Sequence, residues 1–236
     1  MTTILIIETS TEICSVALAR NAEIIDILES DEGQNHARLT SVYAEQLMKK
    51  HQLKAKDLGA VAVSKGPGSY TGLRIGVSTA KGICYAGGIP LIAIGTLEAM
   101  SRHVAQNKAG YGVDDSLPTL YCPMIDARRM EVFSMLIDST QQVVQPISAQ
   151  VIDETFLARE LQSSRVVFFG NGSGKCKSVV CSGNAVFVDD IVASAAHMAD
   201  LAWEAYTKKQ FEDVAYFEPF YLKDFVVTVS KKNILG

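Results

Sequence analysis

The stretch SKGPGSYTGLRIG, at residues 64–76, carries the strongest structural signal in this chain. An apolar run, GAVAV at residues 59–63, precedes it and is typical of a buried strand. A helical pattern follows from Leu73 to Ala86, so the glycines and the proline between them must form a tight turn. Ser69 or Thr71 can cap that helix by accepting hydrogen bonds from its first N–H groups. The stretch therefore predicts a strand–turn–helix unit.

Neither glycine-rich segment of the chain matches a nucleotide-binding pattern. A P-loop requires Gly-Lys followed by Ser or Thr, and the dinucleotide pattern requires glycine at position 71, where Thr71 stands. The second segment, residues 170–175, ends in Gly-Lys, but Phe169 occupies the position of the first glycine and Cys176 follows the lysine. The sequence therefore predicts no nucleotide cofactor.

Composition limits the class of protein. The chain has 236 residues, enough for one large domain or two compact ones. A net charge of −4 argues against a stand-alone nucleic-acid binder, and no apolar run approaches the ~18 residues of a membrane span. The five cysteines are an odd number without a Cys-x-x-Cys pair, which favours reduced thiols. We therefore expect a cytoplasmic protein without a membrane segment.

The order of predicted elements divides the chain into two halves. The first half predicts β-β-β-α-β-α-β-α, and the polar connection at residues 107–118 suggests a boundary between an N-terminal lobe, 1–106, and a C-terminal lobe, 107–236. The second half begins again with strands. It also predicts a short strand at Val143-Val144, a helix from Asp153 through Leu161 and an alanine-rich helix from Ser194 to Lys209.

Two helices carry more apolar and small residues than packing on a sheet requires. In the helix after the central turn, Gly72, Gly76 and Ala80 recur every four residues, and Val77 and Cys84 belong to an overlapping apolar stripe. The preceding helix, residues 36–52, repeats Leu39, Tyr43 and Leu47 at the same spacing. Sheet packing accounts for one stripe, and a contact with another protein would account for the rest.

The catalytic inventory is sparse. The four histidines, at positions 36, 51, 103 and 197, are not paired with His or Cys at ligand spacing. Residues 76–80, GVSTA, approximate the Gly-x-Ser-x-Gly pattern of a nucleophile elbow. Ser78 stands inside a predicted helix, however, and not at the strand-to-helix corner that such an elbow requires. Glu8, Glu12 and Asp126 end predicted strands and could serve a metal or a proton, although solvated turn residues are the better explanation for each. The sequence predicts no catalytic residue and no metal site.

Four segments, IIETSTEICSVAL (6–18), GPGSYTGLRIG (66–76), IDARRMEVF (125–133) and PFYLK (219–223), together resemble the TsaB family, formerly YeaZ. These bacterial proteins act in the synthesis of threonylcarbamoyladenosine in tRNA. The resemblance implies a two-lobed α/β architecture of the actin/Hsp70/sugar-kinase (ASKHA-like) type. It also implies a non-catalytic subunit that binds the catalytic paralogue TsaD, with the ATPase TsaE joining them. The complex transfers threonylcarbamoyl to N6 of adenosine 37 in tRNAs that read ANN codons.

Three positions depart from the relatives. TsaD has a His-x-x-x-His metal pair on its first long helix, but here His36 is followed by Thr40. Glu8 stands where relatives usually have an aspartate that holds nucleotide-bound magnesium. Lys223 replaces an arginine, so a bidentate contact is lost there. The resemblance therefore implies no catalysis by this chain alone and weak or absent ATP binding.

The resulting hypothesis is a partner surface on the two small-residue helices. Its predicted residues are Leu39, Tyr43, Leu47, Gly72, Arg74, Gly76, Val77, Ala80 and Cys84. We expect this surface to bind TsaD, or a second copy of the chain when TsaD is absent. We expect the chain to contact tRNA only as part of the complex. Ala80→Trp should then break both assemblies without unfolding the chain. The alternatives are a stand-alone enzyme, either a small-molecule kinase or a glycopeptidase, and direct tRNA binding through Arg128 and Arg129.

Overall fold

The computed structural model describes residues 1–32, 35–113 and 116–223, and its strands form two five-stranded sheets. The first sheet contains β1 (Thr3–Glu8), β2 (Cys14–Arg20), β3 (Glu23–Ser30), β4 (Ala60–Gly66) and β5 (Leu91–Gly95). Its spatial order is β3-β2-β1-β4-β5. The β1–β2 and β2–β3 pairs are antiparallel, whereas β4 lies parallel to β1 and to β5.

The second sheet repeats this topology. It contains β6 (Thr119–Asp126), β7 (Glu131–Asp138), β8 (Val143–Val151), β9 (Arg165–Phe169) and β10 (Ala185–Val188). Its order is β8-β7-β6-β9-β10, again with two antiparallel pairs followed by two parallel ones. The chain therefore has the two-lobed α/β architecture that the sequence predicted.

Four α-helices cover the sheets within the described residues: α1 (His36–Lys50), α2 (Tyr70–Gly87), α3 (Thr96–Gln106) and α4 (Ala199–Thr207). Helices α1 and α2 pack on one face of the first sheet, against side chains such as Leu5 and Val63. Helix α4 packs on the opposite face, where alanines of α4 meet alanines of β2 and β4. Small side chains on both surfaces let this helix lie close to the sheet. None of the described helices is both long and apolar enough to cross a membrane.

Helix α3 connects the two lobes. Its Ala99 packs with the core of the first sheet, while Leu97 and Met100 pack with side chains of the second. Helix α4 follows the second sheet along the chain but packs on the first. The two sheets lie on either side of the proposed boundary at residues 106/107, and that boundary stays a prediction.

Three elements differ from the sequence prediction. The predicted helix from Asp153 to Leu161 is instead a run of turns that ends in a 3-10 turn at Glu160–Gln162. The Asp153 carboxylate accepts from Thr155 N at 2.8 Å, which closes a turn two residues on and does not cap a helix.

Strand β8 is longer than the predicted Val143-Val144, because Pro146 is tolerated on an edge strand. The predicted Ser194–Lys209 helix splits into a 3-10 turn, Ala195–Met198, and α4.

The segment after α4, residues 210–223, runs along the first lobe and is called the C-terminal strap below. Glu212 N donates to Leu91 O at the edge of β5 (2.9 Å), and Phe220 N donates to Lys65 O (2.7 Å). Between these points, the Lys81 ammonium on α2 donates to Ala215 O at 2.9 Å and also to the carbonyl of residue 217. The strap therefore fastens to both the edge strand and α2.

Candidate functional site

The central turn joins β4 to α2 and is held by the β1–β2 loop. Ser69 N donates to Ser10 O at 2.6 Å, and Gly68 lies so close to Ser10 that a β-carbon there would overlap it. The Ser69 hydroxyl accepts from Gly72 N at 3.2 Å and so caps α2, as the sequence predicted. The turn thus fixes where α2 begins and which of its sides faces the sheet.

The small-residue stripe of α2 faces inward. Gly72 and Gly76 lie against Thr9, whose hydroxyl donates to Gly72 O at 2.8 Å, and a β-carbon at either glycine would overlap Thr9. Ala80, at 0 % exposure, is part of the core between α2 and the first sheet, as are Val77 and Cys84. These side chains cannot contact a partner in this conformation.

The prediction of a partner surface on these residues is corrected accordingly. On α1, Leu39 and Leu47 are buried as well, and Tyr43 is half-buried. Of the nine predicted residues, Tyr43 and Arg74 reach the surface of the chain. The reason is that α2 uses its small residues to approach β1 closely, a demand that the sequence pattern did not distinguish from helix–helix contact. Partner binding by α1 and α2 stays a prediction, and it must involve their outer sides.

The outer side of α2 carries a different stripe. Arg74, Ser78, Gly82 and Tyr85 are all exposed and follow one another at helical spacing; we call them the outer ridge. The Tyr85 side chain is 87 % exposed, and no atom lies within 4 Å of a β-carbon placed on Gly82. Arg74 donates to the Tyr70 hydroxyl at 3.0 Å, which holds its guanidinium near the start of the helix.

Helix α1 packs beside α2 and adds exposed polar residues to the same layer. Arg38, Ser41, Glu45 and Lys49 are exposed along α1, and Lys49 forms an ion pair with Glu45 at 2.6 Å. Together with the outer ridge they form a surface with few bulky apolar groups and one prominent aromatic ring. Tyr85 was not among the predicted interface residues, although its place opposite the apolar stripe of α2 indicates that it is exposed.

A cleft of about 950 Å³ separates the lobes, and the β1–β2 loop, the start of α2 and the β6–β7 turn line it. A polar clasp spans it: Asn171 of the second lobe donates to the Glu12 carboxylate at 2.8 Å and accepts from Asp126 N at 2.9 Å. Lys175 donates to the Asp126 carboxylate at 2.6 Å. Glu12 and Asp126, which the sequence left open as metal or proton ligands, therefore take part in hydrogen bonds and an ion pair of the protein itself.

The end of the strap closes one side of this cleft. The Tyr221 ring lies 4.6 Å from the Tyr70 ring, and partial burial raises the pKa of the Tyr221 hydroxyl. Lys223 pairs with Glu131 and stands over the Phe133 ring of the second sheet. Lys223 thus joins the strap to the second lobe.

Glu8 does not line the cleft. It is 1 % exposed, its carboxylate accepts from Ser10 N at 2.6 Å, and burial raises the pKa of the carboxyl. Ser64 also faces this end of β1, where its hydroxyl accepts from Thr9 N at 3.4 Å. A carboxylate enclosed in this way is directed into the protein and away from the interlobe cleft.

His36 and Thr40 form a local structural cluster. The His36 ring is buried with Nε2 3.2 Å from Ile13 O, and the Thr40 hydroxyl donates to His36 O at 2.7 Å. Cys14 Sγ lies 3.4 Å from the same hydroxyl. In the part of the chain that the structure describes, no three His, Cys, Asp or Glu residues are arranged to hold a metal ion.

The chain is similar to known proteins in both sequence and structure. The model of the family described as TsaD, tRNA N6-adenosine threonylcarbamoyltransferase, matches residues 27–230. The chain is 29 % identical over 236 residues to the tRNA threonylcarbamoyladenosine biosynthesis protein TsaB of Haemophilus influenzae, covering 94 % of each. It is 28 % identical over 227 residues to TsaB of Bacillus subtilis, again covering 94 % of each. The solved structure of YeaZ from Pseudomonas aeruginosa superposes with a TM-score of 0.75 at 20 % identity, over 94 % of this chain and 100 % of that one.

Proposed function

Because the chain belongs to the family of TsaD, tRNA N6-adenosine threonylcarbamoyltransferase, we propose that it works in threonylcarbamoyladenosine synthesis on tRNA. Two relatives of matching length, from Haemophilus influenzae and Bacillus subtilis, are TsaB proteins, which supports the accessory and not the catalytic branch of this family. The protein acts in the cytoplasm, where it supports a TsaD paralogue and takes no part in the transfer itself.

The state of two of its own residues supports the proposal that the chain is non-catalytic. Thr40 occupies the position of a second metal-binding histidine, and its hydroxyl is engaged by the His36 carbonyl. Glu8 is enclosed at the end of β1. Neither residue offers a ligand to a metal ion or to a nucleotide in the cleft, which supports a partner as the catalytic subunit.

The observation that carries the proposal is the exposed outer ridge of α2 beside α1. Small residues at Ser78 and Gly82 allow another helix to come close, and Tyr85 is a large, rigid side chain of the kind that dominates interface energies. The matching helix pair of TsaD is the proposed occupant, giving a four-helix contact. A second copy of the chain uses the same surface when TsaD is absent, TsaE joins the heterodimer, and tRNA is bound through the complex.

A second candidate function rests on the interlobe cleft, whose volume of about 950 Å³ suits a small-molecule ligand. A stand-alone kinase or glycopeptidase would use this space. The enclosed Glu8 and the internally paired Glu12 and Asp126 argue against it, because no carboxylate among them is free for the chemistry.

The proposal is tested by binding to the TsaD of the same organism. We expect Gly82→Trp to abolish co-elution in size-exclusion chromatography, since an indole on the ridge holds the helices apart, and Tyr85→Ala to weaken binding about tenfold or more. Gly110→Trp is the matched control, because it places the same ring on another exposed glycine with open space around it. Unchanged binding by folded Gly82→Trp would refute the surface.

A further inference from the structure

A groove of about 430 Å³ lies at the edge of the first sheet and shares no lining residue with the interlobe cleft. Its floor is residues 93–95 of β5, the edge strand, and its walls come from α4 and residues 210–212 of the strap. We call it the edge groove. It is large enough for a ligand of several heavy atoms, and its lining combines charged and apolar side chains.

Three charged side chains that line the edge groove are unused by the protein: Lys65, Glu98 and the exposed Glu212. Lys65 and Glu98 both line it, and among the described residues no hydrogen bond or ion pair engages either side chain. By contrast, the neighbouring Glu204 pairs with Arg102 at 2.8 Å. The Lys65 and Glu98 side chains are both half-buried, so a ligand that brings a cation to Glu98 and an anion to Lys65 would complete the interactions that the described residues leave unmade.

The position of Glu98 strengthens this point. One of its oxygens, Oε2, is fully buried without a hydrogen-bond partner, and the carboxylate lies over Gly95, where any β-carbon would overlap it. The positive end of α3 favours a carboxylate in its first turn but supplies no donor to this side chain. Helix electrostatics therefore explain why an acid is tolerated here. Because the protein already encloses Oε2, Oε1 is the oxygen through which Glu98 can contact a ligand in the groove.

The apolar part of the groove limits which ligands fit. Leu201, Ala205 and Phe211 present apolar surface beside the charges. A ligand that satisfies all of these groups needs a carboxylate, an ammonium and a small apolar part. We infer that the edge groove binds a free L-α-amino acid, with its carboxylate on Lys65, its ammonium on Glu98 and its side chain against Leu201 and Phe211.

L-threonine is the first probe, and this choice rests on the proposed function, because the relatives' name contains a threonyl group. The site itself does not depend on it. Partner binding uses the outer side of α1 and α2, so a chain that binds TsaD without binding amino acids would overturn this inference alone. A chain that binds amino acids without binding TsaD would overturn the proposed function alone.

The test is isothermal titration calorimetry on the full chain with L-threonine and L-valine. We expect a dissociation constant on the order of 0.1–1 mM, and a loss of about tenfold or more for N-acetyl-L-threonine and for L-threoninamide, each of which lacks one charge. These analogues test the charge pair without any substitution in the protein.

Variants locate the site. Glu98→Gln and Lys65→Met should each weaken L-threonine binding about tenfold, whereas Glu154→Gln and Lys56→Met, on exposed residues elsewhere, should leave it unchanged. Circular dichroism confirms that each variant is folded. No heat of binding up to about 20 mM of either amino acid, equal binding of the single-charge analogues, or full binding by both groove variants would overturn the inference.

Discussion

At the scale of single residues, Glu8 is the most deeply buried carboxyl group of the first lobe. Its carboxyl is buried at the end of β1, and burial raises its pKa above the ordinary 4.5. An acid whose pKa is raised by folding stabilises the native state most when it is neutral in both states, below its ordinary pKa. That contribution is lost as the pH rises from about 4.5 through the raised value.

Glu8→Gln is therefore expected to increase stability at pH 7 and to have little effect near pH 4. Glutamine keeps the acceptor for Ser10 N but has no charge to bury, and each unit of raised pKa corresponds to about 1.4 kcal/mol. Urea unfolding between pH 4 and pH 8 measures the difference. The exposed Glu154→Gln is the control, and a Glu8→Gln curve parallel to wild type at every pH would contradict the assignment.

At the scale of an element, α2 has two sides with opposite tasks. Gly72, Gly76 and Ala80 bring the helix close to β1, while the outer ridge stays in solvent. The C-terminal strap holds a third side through Lys81. The helix position is thus set by the first sheet and by the strap before any partner arrives.

Ala80→Trp is expected to unfold or strongly destabilise the chain, in place of the clean loss of assembly that the sequence suggested. Ala80 is 0 % exposed, and overpacking at such a site is destabilising by about 3 kcal/mol or more for so large a change. Thermal unfolding followed by circular dichroism measures this. Gly82→Trp, two residues along the same helix, should melt close to wild type, and a stable Ala80→Trp protein would show that the stripe is not core.

At the scale of the whole molecule, the lobes share one topology and are joined by α3, the Asn171–Glu12 clasp and the strap. The strands of the second lobe occupy positions equivalent to those of the first. At the β6–β7 turn, Asp126 pairs with Lys175 of the same lobe. The lobes therefore hold each other through their own side chains at the interlobe cleft.

The purified chain, given tRNA and an activated threonylcarbamoyl donor, is expected to form no threonylcarbamoyladenosine. The physical reason is that Thr40 and Glu8 are committed to internal hydrogen bonds. Mass spectrometry of digested tRNA detects the product, and addition of TsaD and TsaE should produce it. Turnover by the isolated chain that a point substitution within it abolishes would contradict the proposal.

The sequence by itself determined the strand–turn–helix at residues 59–86, a hydroxyl cap at Ser69 or Thr71, and two halves that each open with strands. These features depend on local periodicity, glycine and capping chemistry. It failed at Asp153, where a side-chain hydrogen bond two residues along the chain competed with helix formation. Only the tertiary structure decided which side of α2 is buried. A 3.6-residue period is the same whether a stripe meets a sheet or a partner, and the choice depends on Thr9, more than sixty residues away from Gly72 along the chain. The edge groove has the same origin, since Lys65, Glu98 and Phe211 meet through folding alone.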